Sequence, residues 1–571
     1  MSLRAKFLGA VGTVTGSCTL LHYGLTDSYY MVDCGMYQGF PGAEERNRRE
    51  FPFDPKRLAA VLLTHAHVDH IGLLPRLVHA GFRGKIICTR ATARFTMAAL
   101  SDTGAGSGQL WPPDAVSRLE GMFQCPDDDS KFVFGHSYPL DQDLFFSFLR
   151  SAHVAGSVGI ELRVNINTSE SRTFTFSGDV GPASEESGHG GLQKHRQYPN
   201  PRSSVVVCES TYGGKVRRTG AGTFVERSAA LARTLNEAFA RGPDPVVFFP
   251  TFALQRAQDL VVEIDHVLRH HDVAIPGRRA LSIVVDSAMA AEHATIMWNE
   301  LGRRDAKARR RWVNPETPLL SGMTESEIDR RLSALLCPSG WDAPQQSGNG
   351  AWTVHYGRPG PTTGPRIILA GPGMCNARKS LQYLGEFAPN PQATIVFSGY
   401  LPQSSPGFAV RQLGTGAEGY VPPAVIQLGD VRLRPEQIRA ATVNLGEYYS
   451  GHADEDGLVD FLLRQDTRYP SPPMTVVLNH GDRRGRESLR DRLLQEAANP
   501  STPGPHRPLK AVILPETHQG WFDLIAGEWE ECDPAGALDN ERVAGLERQL
   551  TDLAADHEAL CRRVELLEAA R

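Results

Sequence analysis

The sequence predicts a layered α/β protein that has more than one domain and a separate helical tail. Its 571 residues exceed what one hydrophobic core supports, because domains average about 150 residues. Short apolar runs alternate with helical patterns and end in polar residues, and several runs are unbroken, as in strands covered on both faces. The C-terminal residues instead repeat apolar positions three and four apart.

The composition is that of an ordinary globular protein. Hydrophobic residues make up 41% and charged residues 22% of the chain, which excludes a wholly disordered or fibrous protein. No window approaches the roughly 20 apolar residues that cross a bilayer, and glycines and threonines interrupt the apolar start at 7–21, so we expect neither a membrane partner nor a signal peptide. The nine cysteines are scattered without a CxxC pair, which predicts reduced thiols and a cytoplasmic protein.

Strand-like runs in the first part of the chain end at polar residues. Three of these runs are 29–32 before Asp33, 59–63 before Thr64 and 205–208 before Glu209. Helical patterns such as 73–79 lie between some of them. Because α/β sheets form their sites at the carboxyl ends of strands, these polar residues are candidates for a functional site.

A second α/β unit begins near residue 223. An amphipathic helical pattern at 224–241 is followed by strand, helix and strand patterns at 245–250, 255–270 and 281–285, which is the rhythm of a βαβ unit. The stretch 303–364 is rich in Arg, Pro, Gly and Ser and predicts a helix with long surface loops. Strand patterns return at 366–369, 393–397, 475–478 and 511–514.

The tail is predicted to be a coiled coil. Its repeating positions are Val543, Leu546, Leu550, Leu553, His557, Leu560, Val564 and Leu567. This is a heptad seam, so we assign 541–571 to a C-terminal coiled-coil helix and expect a homodimer through it. The alternatives are a helix packed on its own domain or a docking site for another protein.

Four potential metal ligands follow the apolar run that ends at residue 63. They are His65, His67, Asp69 and His70. An imidazole pair separated by one residue can hold one divalent ion, while the carboxylate and the third imidazole face a second ion. Zn²⁺ accepts such a mixture of nitrogen and oxygen donors. A solvated His-rich loop is the alternative, but four ligand-type side chains in six residues favour a metal site.

Several motifs stand in the order and spacing of a known superfamily. Asp33-Cys34-Gly35 resembles its first motif, the loop at 65–70 its second, and His153 its third. Asp179 in Ser-Gly-Asp-Val-Gly resembles the fourth. On these residues the chain resembles the metallo-β-lactamase superfamily. The resemblance implies an αββα sandwich in which Asp33 supports the metal ligands from behind.

Three later residues resemble motifs of the β-CASP branch. Glu209 in Cys-Glu-Ser-Thr-Tyr is similar to motif A, His452 in Ser-Gly-His-Ala-Asp to motif B, and His480 in Leu-Asn-His-Gly-Asp to motif C. The chain thus resembles the β-CASP nucleases, and within them bacterial homologues of the endonuclease that cleaves mRNA at its 3′ end. The resemblance implies a metallo-β-lactamase domain at 1–212 and 405–532, with an inserted α/β β-CASP domain at 213–404.

The resemblance also implies a metal centre of two zinc ions per chain. Its expected ligands are His65, His67 and His153 for one ion, Asp69, His70 and His480 for the other, and Asp179 between them. Two such ions generate a hydroxide at neutral pH and clamp a phosphodiester. A leaving oxygen requires a proton, and His452 is the expected general acid, with Glu209 at its other nitrogen. The expected catalytic residues are Asp69, Asp179, Glu209 and His452.

Single-stranded RNA is the expected substrate. The resemblance associates a histidine at motif C, here His480, with members that cleave RNA, and it favours an endonuclease over a 5′ exonuclease. The net charge of −5 means that local basic clusters or a metal must hold a polyanion. Such clusters are Arg46, Arg48 and Arg49, then Lys215, Arg217 and Arg218, and finally Arg483, Arg484 and Arg486.

Three alternatives stay open. A small-ester hydrolase of the same fold would leave the inserted domain, Glu209 and His452 without a role. A catalytically silent scaffold would bind RNA or assemble a complex, although all expected ligand positions are occupied here. A DNA-directed nuclease of the same family would more often have an apolar residue in place of His480.

Truncation after Asp533 tests the predicted coiled coil. We expect the full chain to self-associate in light scattering and the truncated chain to lose that association, because an isolated stripe of Leu and Val is otherwise uncovered. The truncated chain should still cleave short RNA. Equal oligomeric states for the two proteins would instead indicate an intramolecular helix or a docking site.

Overall fold

A computed structural model describes most of the chain up to residue 530. The described residues are 1–530 apart from 41, 104–109, 113, 130, 183–191, 194–202, 218–222, 278–279, 302–311, 315–316, 337–344, 348–350, 358–361, 377, 400, 417–419, 466–470, 502–503 and 517–519. The predicted coiled coil at 541–571 lies outside them. It therefore stays a prediction, as does the homodimer.

Strands and helices alternate along the described chain. The strands are β1 Leu3–Phe7, β2 Thr19–Tyr23, β3 Ser28–Val32, β4 Leu58–Leu62, β5 Lys85–Ile87, β6 Phe123–Gln124, β7 Tyr138–Asp141, β8 Leu144–Arg150, β9 Val158–Asn165, β10 Ser171–Phe176, β11 Val205–Glu209, β12 Val246–Pro250, β13 Leu281–Val285, β14 Gln345–Ser347, β15 Trp352–Tyr356, β16 Arg366–Ala370, β17 Ala393–Phe397, β18 Ile426–Leu428, β19 Val431–Leu433, β20 Ala441–Asn444, β21 Met474–Asn479, β22 Leu509–Ile513, β23 Phe522–Asp523 and β24 Glu528–Trp529. The α-helices are α1 Ala43–Arg48, α2 Val68–Ile71, α3 Leu74–His79, α4 Arg90–Thr103, α5 Asp114–Ser117, α6 Phe224–Phe239, α7 Arg256–His270, α8 Ala288–Leu301, α9 Glu325–Leu336, α10 Arg378–Phe387, α11 Pro406–Thr415, α12 Gly446–Tyr449, α13 Glu455–Leu463 and α14 Arg483–Ala498.

The described residues form two compact units. The first contains those within 1–184, 195–216 and 451–549, and the second contains those within 185–194 and 217–450. No helix among them is both long and apolar enough to span a membrane. None of the cysteines that the structure describes is joined in a disulfide.

The first unit is built on two mixed β-sheets. One has the strand order β24-β23-β1-β2-β3-β4-β5-β6, and the other β22-β21-β11-β10-β9-β8-β7. On the first sheet, Val61 packs in one core cluster with Leu77 of α3, and on the second, Val476 packs with Leu489 of α14. The opposite faces are buried as well. Each sheet therefore has helices packed on one face, and its other face is buried inside the unit. This is the arrangement expected of a layered α/β unit.

The second unit contains one largely parallel sheet. Its order is β14-β15-β13-β16-β12-β17-β20, with β14 antiparallel to β15. The strands predicted at 366–369 and 393–397 are present as β16 and β17. The last strand, β20, pairs in parallel with β17, so this sheet includes residues as late as Asn444. The predicted domain boundaries at 213 and 404 stay predictions.

One part of the second unit differs from the sequence-based prediction. The stretch 303–364 was predicted to be a helix with surface loops, but β15 lies within it and pairs in parallel with β13. Its Trp352, Val354 and Tyr356 are buried, whereas the residues between them are half-buried. The predicted helix is present as α9. The loop part of the prediction was wrong at 352–356, because the alternating pattern is only one short strand long and polar, Gly-rich sequence surrounds it.

Parallel strand ends bring the predicted site residues to one edge of each sheet. Strand β3 ends at Val32 and β4 ends at Leu62, directly before Asp33 and the His-rich loop. In the second sheet, Glu209 at the end of β11 pairs with Asn479 at the end of β21. His480 follows Asn479 in the chain, so it leaves the sheet beside Glu209.

Gly35 allows a close approach between the first motif and the His-rich loop. A Cβ atom at Gly35 would overlap the carbonyl oxygen of Asp69 and would lie 2.8 Å from the amide nitrogen of Ser17. We predict that Gly35→Ala lowers the free energy of unfolding by about 1 to 3 kcal/mol, the usual cost of overpacking. Urea denaturation measures this loss. Gly121→Ala is the matched control, because no described atom beyond its own local backbone lies within 4 Å of its added Cβ, and an equal effect of both substitutions would contradict the prediction.

Candidate metal centre

The His-rich loop positions its four side chains by a short helix. His67 is the N-cap residue of α2, so Asp69 and His70 lie in the single turn that follows. His65 and His70 are buried. The amide of Ser17 and the amide of Cys34 donate to the carbonyls of Asp69 and His70, at 2.8 Å each. These bonds hold the loop against the first strands of the sheet.

The first donor group combines three imidazoles with one carboxylate. Its members are His65, His67, His153 and Asp179, whose ligand atoms lie within 4.8 Å of one another. His67 Nδ1 is 3.0 Å from His65 Nε2 and 3.1 Å from His153 Nε2. A single proton on His67 Nδ1 cannot serve both neighbours, whereas a divalent ion accepts a lone pair from each nitrogen. The donor set therefore fits a metal ion.

The second donor group consists of Asp69, His70 and His480. His480 Nε2 is 3.2 Å from His70 Nε2 and 3.4 Å from Asp69 Oδ2. Asp179 joins the two groups, because its Oδ2 is 3.4 Å from His65 Nε2 and its Oδ1 is 3.3 Å from His70 Nε2. Oδ1 of Asp179 is buried and receives no hydrogen bond from the described residues.

Hydrogen bonds at the outer nitrogens orient three of these imidazoles. His70 Nδ1 is 2.7 Å from Asp33 Oδ2, and His153 Nδ1 is 2.7 Å from the carbonyl oxygen of Gly451. Both partners only accept, so each Nδ1 carries a proton and Nε2 is the nitrogen that each ring turns toward its donor group. Thr64 Oγ1 donates to the Asp33 carboxylate and lies 3.1 Å from His65 Nδ1, which favours the same arrangement for His65.

Burial favours neutral imidazoles in the first group. It holds the pKa of His65 and that of His153 well below the usual range, and it lowers the pKa of His67 to about 4. The pKa of Asp179 is also held well below its usual range, because the surrounding histidines outweigh burial, and the carboxylate is therefore ionised. Neutral imidazoles and an ionised carboxylate are the forms that bind metal.

A third group pairs a carboxylate with a histidine beside the two donor groups. His452 Nδ1 is 3.0 Å from both carboxylate oxygens of Glu209, and its Nε2 is 3.9 Å from Asp179 Oδ2. Glu209 is buried, and it accepts a hydrogen bond of 2.6 Å from the amide of Val180. Burial lowers the pKa of His452, but the charges of Glu209 and Asp179 outweigh it and raise that pKa to about 9.

Helix N-caps position the two late histidines. Asp454 caps α13 by accepting from the amide of Gly457, and Asp482 caps α14 by accepting from the amide of Gly485. Each cap lies two residues after a site histidine, His452 in one case and His480 in the other. Aspartate at an N-cap satisfies an amide that the helix leaves unpaired, and here it also fixes where the preceding loop ends.

The structure brings the nine sequence-predicted site residues into these three groups. The expected ligands and the Glu209–His452 pair all lie in them. Sequence reasoning named Thr64 as a polar residue at a strand end but gave it no contact with an imidazole, and it did not single out Thr211 or the Gly451 carbonyl. Thr64 and Thr211 each lie next to or within a motif, but a local pattern does not reveal which imidazole nitrogen a hydroxyl contacts.

The predicted basic clusters have mixed surroundings. Arg486 is buried and donates to the carbonyl of Pro515, whereas Arg483 is exposed and pairs with Glu487 at 2.9 Å. Arg46 lies over the rings of Tyr37 and Phe40. Arg218 lies outside the described residues.

Three family models match successive parts of the chain. They are the Metallo-beta-lactamase superfamily at residues 11–146, the Beta-Casp domain at 257–410, and the Zn-dependent metallo-hydrolase RNA specificity domain at 437–503. Ribonuclease TTHA0252 of Thermus thermophilus is 30% identical over 492 residues, which cover 84% of this chain and 93% of that protein. The chain belongs to the β-CASP family of RNA-processing nucleases.

More distant relatives of this β-CASP protein are named for steps in RNA synthesis and processing. Transcription termination factor FttA of Cenarchaeum symbiosum is 27% identical over 494 residues, which cover 84% of this chain and 66% of that protein. Cleavage and polyadenylation specificity factor subunit 3-II of Arabidopsis thaliana is 22% identical over 510 residues, which cover 87% and 70%. The two family models matched at 11–146 and 257–410 show that the family combines a metallo-β-lactamase domain with an inserted β-CASP domain.

Proposed function

We propose that this chain is a zinc-dependent ribonuclease that hydrolyses phosphodiester bonds in single-stranded RNA. The observation that carries the proposal is the shared carboxylate of Asp179, which has one oxygen toward each donor group and the Glu209–His452 pair beside it. The RNA specificity domain and the name of the Thermus relative support RNA as the substrate. The name of the plant relative, a cleavage factor, favours internal cleavage over 5′ exonucleolytic attack.

Each donor group would hold one zinc ion. His65, His67 and His153 would bind the first, Asp69, His70 and His480 the second, and Asp179 both. Bound zinc ions supply Lewis acidity to a phosphoryl oxygen and lower the pKa of water. The chain's own contribution is to orient the ligand imidazoles, since Asp33 bonds Nδ1 of His70 and the Gly451 carbonyl bonds Nδ1 of His153.

His452 is the proposed general acid. Its Nδ1 is engaged by Glu209, so its Nε2 is the nitrogen that faces the metal ligands. A carboxylate hydrogen-bonded to an imidazole favours the protonated ring, which can give its Nε2 proton to the leaving oxygen of the phosphodiester. Glu209 positions the ring and does not itself contact the substrate in this proposal.

The remaining expectations extend the same proposal. The scattered cysteines favour a reducing, cytoplasmic compartment, and the heptad pattern at 541–571 favours a homodimer. Neither is needed for the chemistry, because every proposed catalytic group belongs to the first compact unit.

Cleavage of matched RNA and DNA oligonucleotides tests the substrate. We predict that the zinc-loaded protein cuts end-labelled single-stranded RNA at internal positions and leaves the DNA of the same sequence largely intact. Asp179→Ala should abolish cutting and lose metal, since it removes a ligand from both donor groups. A protein that binds RNA without cutting it would be a scaffold, and preferential DNA cleavage would identify the DNA-directed alternative.

Replacement of His452 tests the proton donor. We predict that His452→Ala retains zinc, because His452 is outside both proposed ligand sets, while RNA cleavage falls by about 10² to 10⁴. Metal analysis and single-turnover cleavage measure the two quantities. His79→Ala is the control, as His79 is an exposed helical histidine. Near-normal turnover of His452→Ala would remove the general-acid role.

A further inference from the structure

Thr211 contacts both halves of the proposed catalytic apparatus in the first unit. Its hydroxyl oxygen is 3.2 Å from His480 Nδ1 and 3.2 Å from the carbonyl oxygen of the same residue. Its amide donates to Glu209 Oε2 at 3.3 Å. The residue therefore lies between a proposed metal ligand and the carboxylate that holds the general acid.

The hydroxyl of Thr211 has one proton, and one placement of it satisfies both contacts. The carbonyl of His480 only accepts, and when the hydroxyl donates to it the hydroxyl oxygen can accept from Nδ1–H of His480. In this arrangement the lone pair of His480 is on Nε2. This is the nitrogen that faces His70 Nε2 and Asp69 Oδ2.

The backbone of His480 is held where this contact requires it. His480 has a left-handed φ of 50°, which is uncommon for a residue other than glycine. Its amide donates to the carbonyl of Ala10 at 2.9 Å, and its carbonyl accepts from the amide of Ser210 at 3.1 Å. With the backbone fixed at both ends of the residue, rotation of the ring is the remaining freedom, and Thr211 opposes it.

The same arrangement occurs at the first donor group. Thr64 Oγ1 donates to the carboxylate of Asp33 and lies 3.1 Å from Nδ1 of His65. In both places the hydroxyl proton goes to an acceptor, and the hydroxyl oxygen faces the outer nitrogen of an imidazole. Groups of this kind fix the tautomer and the direction of a metal ligand.

We propose that Thr211 is a positioning residue that sets the tautomer and orientation of His480, and through them the affinity for the second metal ion. The proposal rests on the ligand assignment of the proposed function. It requires a hydroxyl at position 211, so serine should serve and valine, which has nearly the same shape, should fail.

Metal retention tests this role without any substrate. Wild-type protein, Thr211→Val and Thr211→Ser are loaded with zinc, dialysed against graded concentrations of a chelator and assayed for zinc per chain. We expect Thr211→Val to keep one ion as firmly as wild type and to lose the other at a chelator concentration about 10- to 100-fold lower. Thr211→Ser should retain both ions as wild type does.

Thr295→Val is the matched control. Thr295 is a half-buried threonine on α8 whose hydroxyl donates to the carbonyl of Ala291 at 3.2 Å. It should retain both ions, and metal-free Thr211→Val should melt at the same temperature as metal-free Thr295→Val. If Thr211→Val loses both ions together and also melts lower when metal-free, the hydroxyl stabilises the fold generally and the positioning role is wrong.

Other outcomes separate this proposal from the proposed function. Wild-type retention of both ions by Thr211→Val overturns the role of Thr211 and leaves the ribonuclease proposal intact. Wild-type protein that binds two zinc ions but cuts no RNA overturns the ribonuclease proposal alone. Wild-type protein that binds fewer than two ions overturns both.

Discussion

The buried carboxylate of Asp179 is the constraint on which the rest of the site depends. Asp179 is 3% exposed, and its Oδ1 receives no hydrogen bond from the residues that the structure describes. A carboxylate in such surroundings is costly unless positive charge compensates it. Imidazoles from both donor groups lie within 3.4 Å of its oxygens, and a metal ion held by these groups would add positive charge beside it. Each loop that carries a histidine must therefore end within reach of this one side chain.

The segment around Asp179 also connects the candidate metal ligands to the Glu209–His452 pair. The amide of Val180 donates to Glu209, and the carbonyl of Val180 accepts from the amide of Ala453 at 2.7 Å. The next amide, that of Gly181, donates to the carbonyl of Ser151, two residues before His153. One short loop thus fixes the carboxylate, the third-motif histidine and the His452 loop together. A change at this loop would therefore disturb the candidate metal ligands and the Glu209–His452 pair at the same time.

Strand direction explains why distant segments meet here. Strands β10, β11 and β21 are neighbours and run in parallel, so Ser177, Glu209 and Asn479 lie near the same edge of the sheet, where the loops carrying Asp179 and His480 begin. In the other sheet, β3 and β4 are parallel and deliver Asp33 and the His-rich loop in the same way. Polar side chains that follow the carboxyl ends of strands lie outside the apolar core that the strands form. The site is consequently assembled from loops, while buried strands hold the loops in place.

The sequence by itself determined the candidate ligands, the α/β class and most strands near the site. Each of these shows as a local pattern of an unbroken apolar run followed by a polar residue of a particular chemistry. Tertiary structure alone decided three things. Residues 352–356 form a strand because β13 offers a parallel partner, and the sheet of the second unit extends to Asn444 because β17 offers another. The role proposed for Thr211 depends on His480, 269 residues away. Such pairings depend on which backbone and side-chain atoms packing brings together, and no local pattern of residue types contains that information.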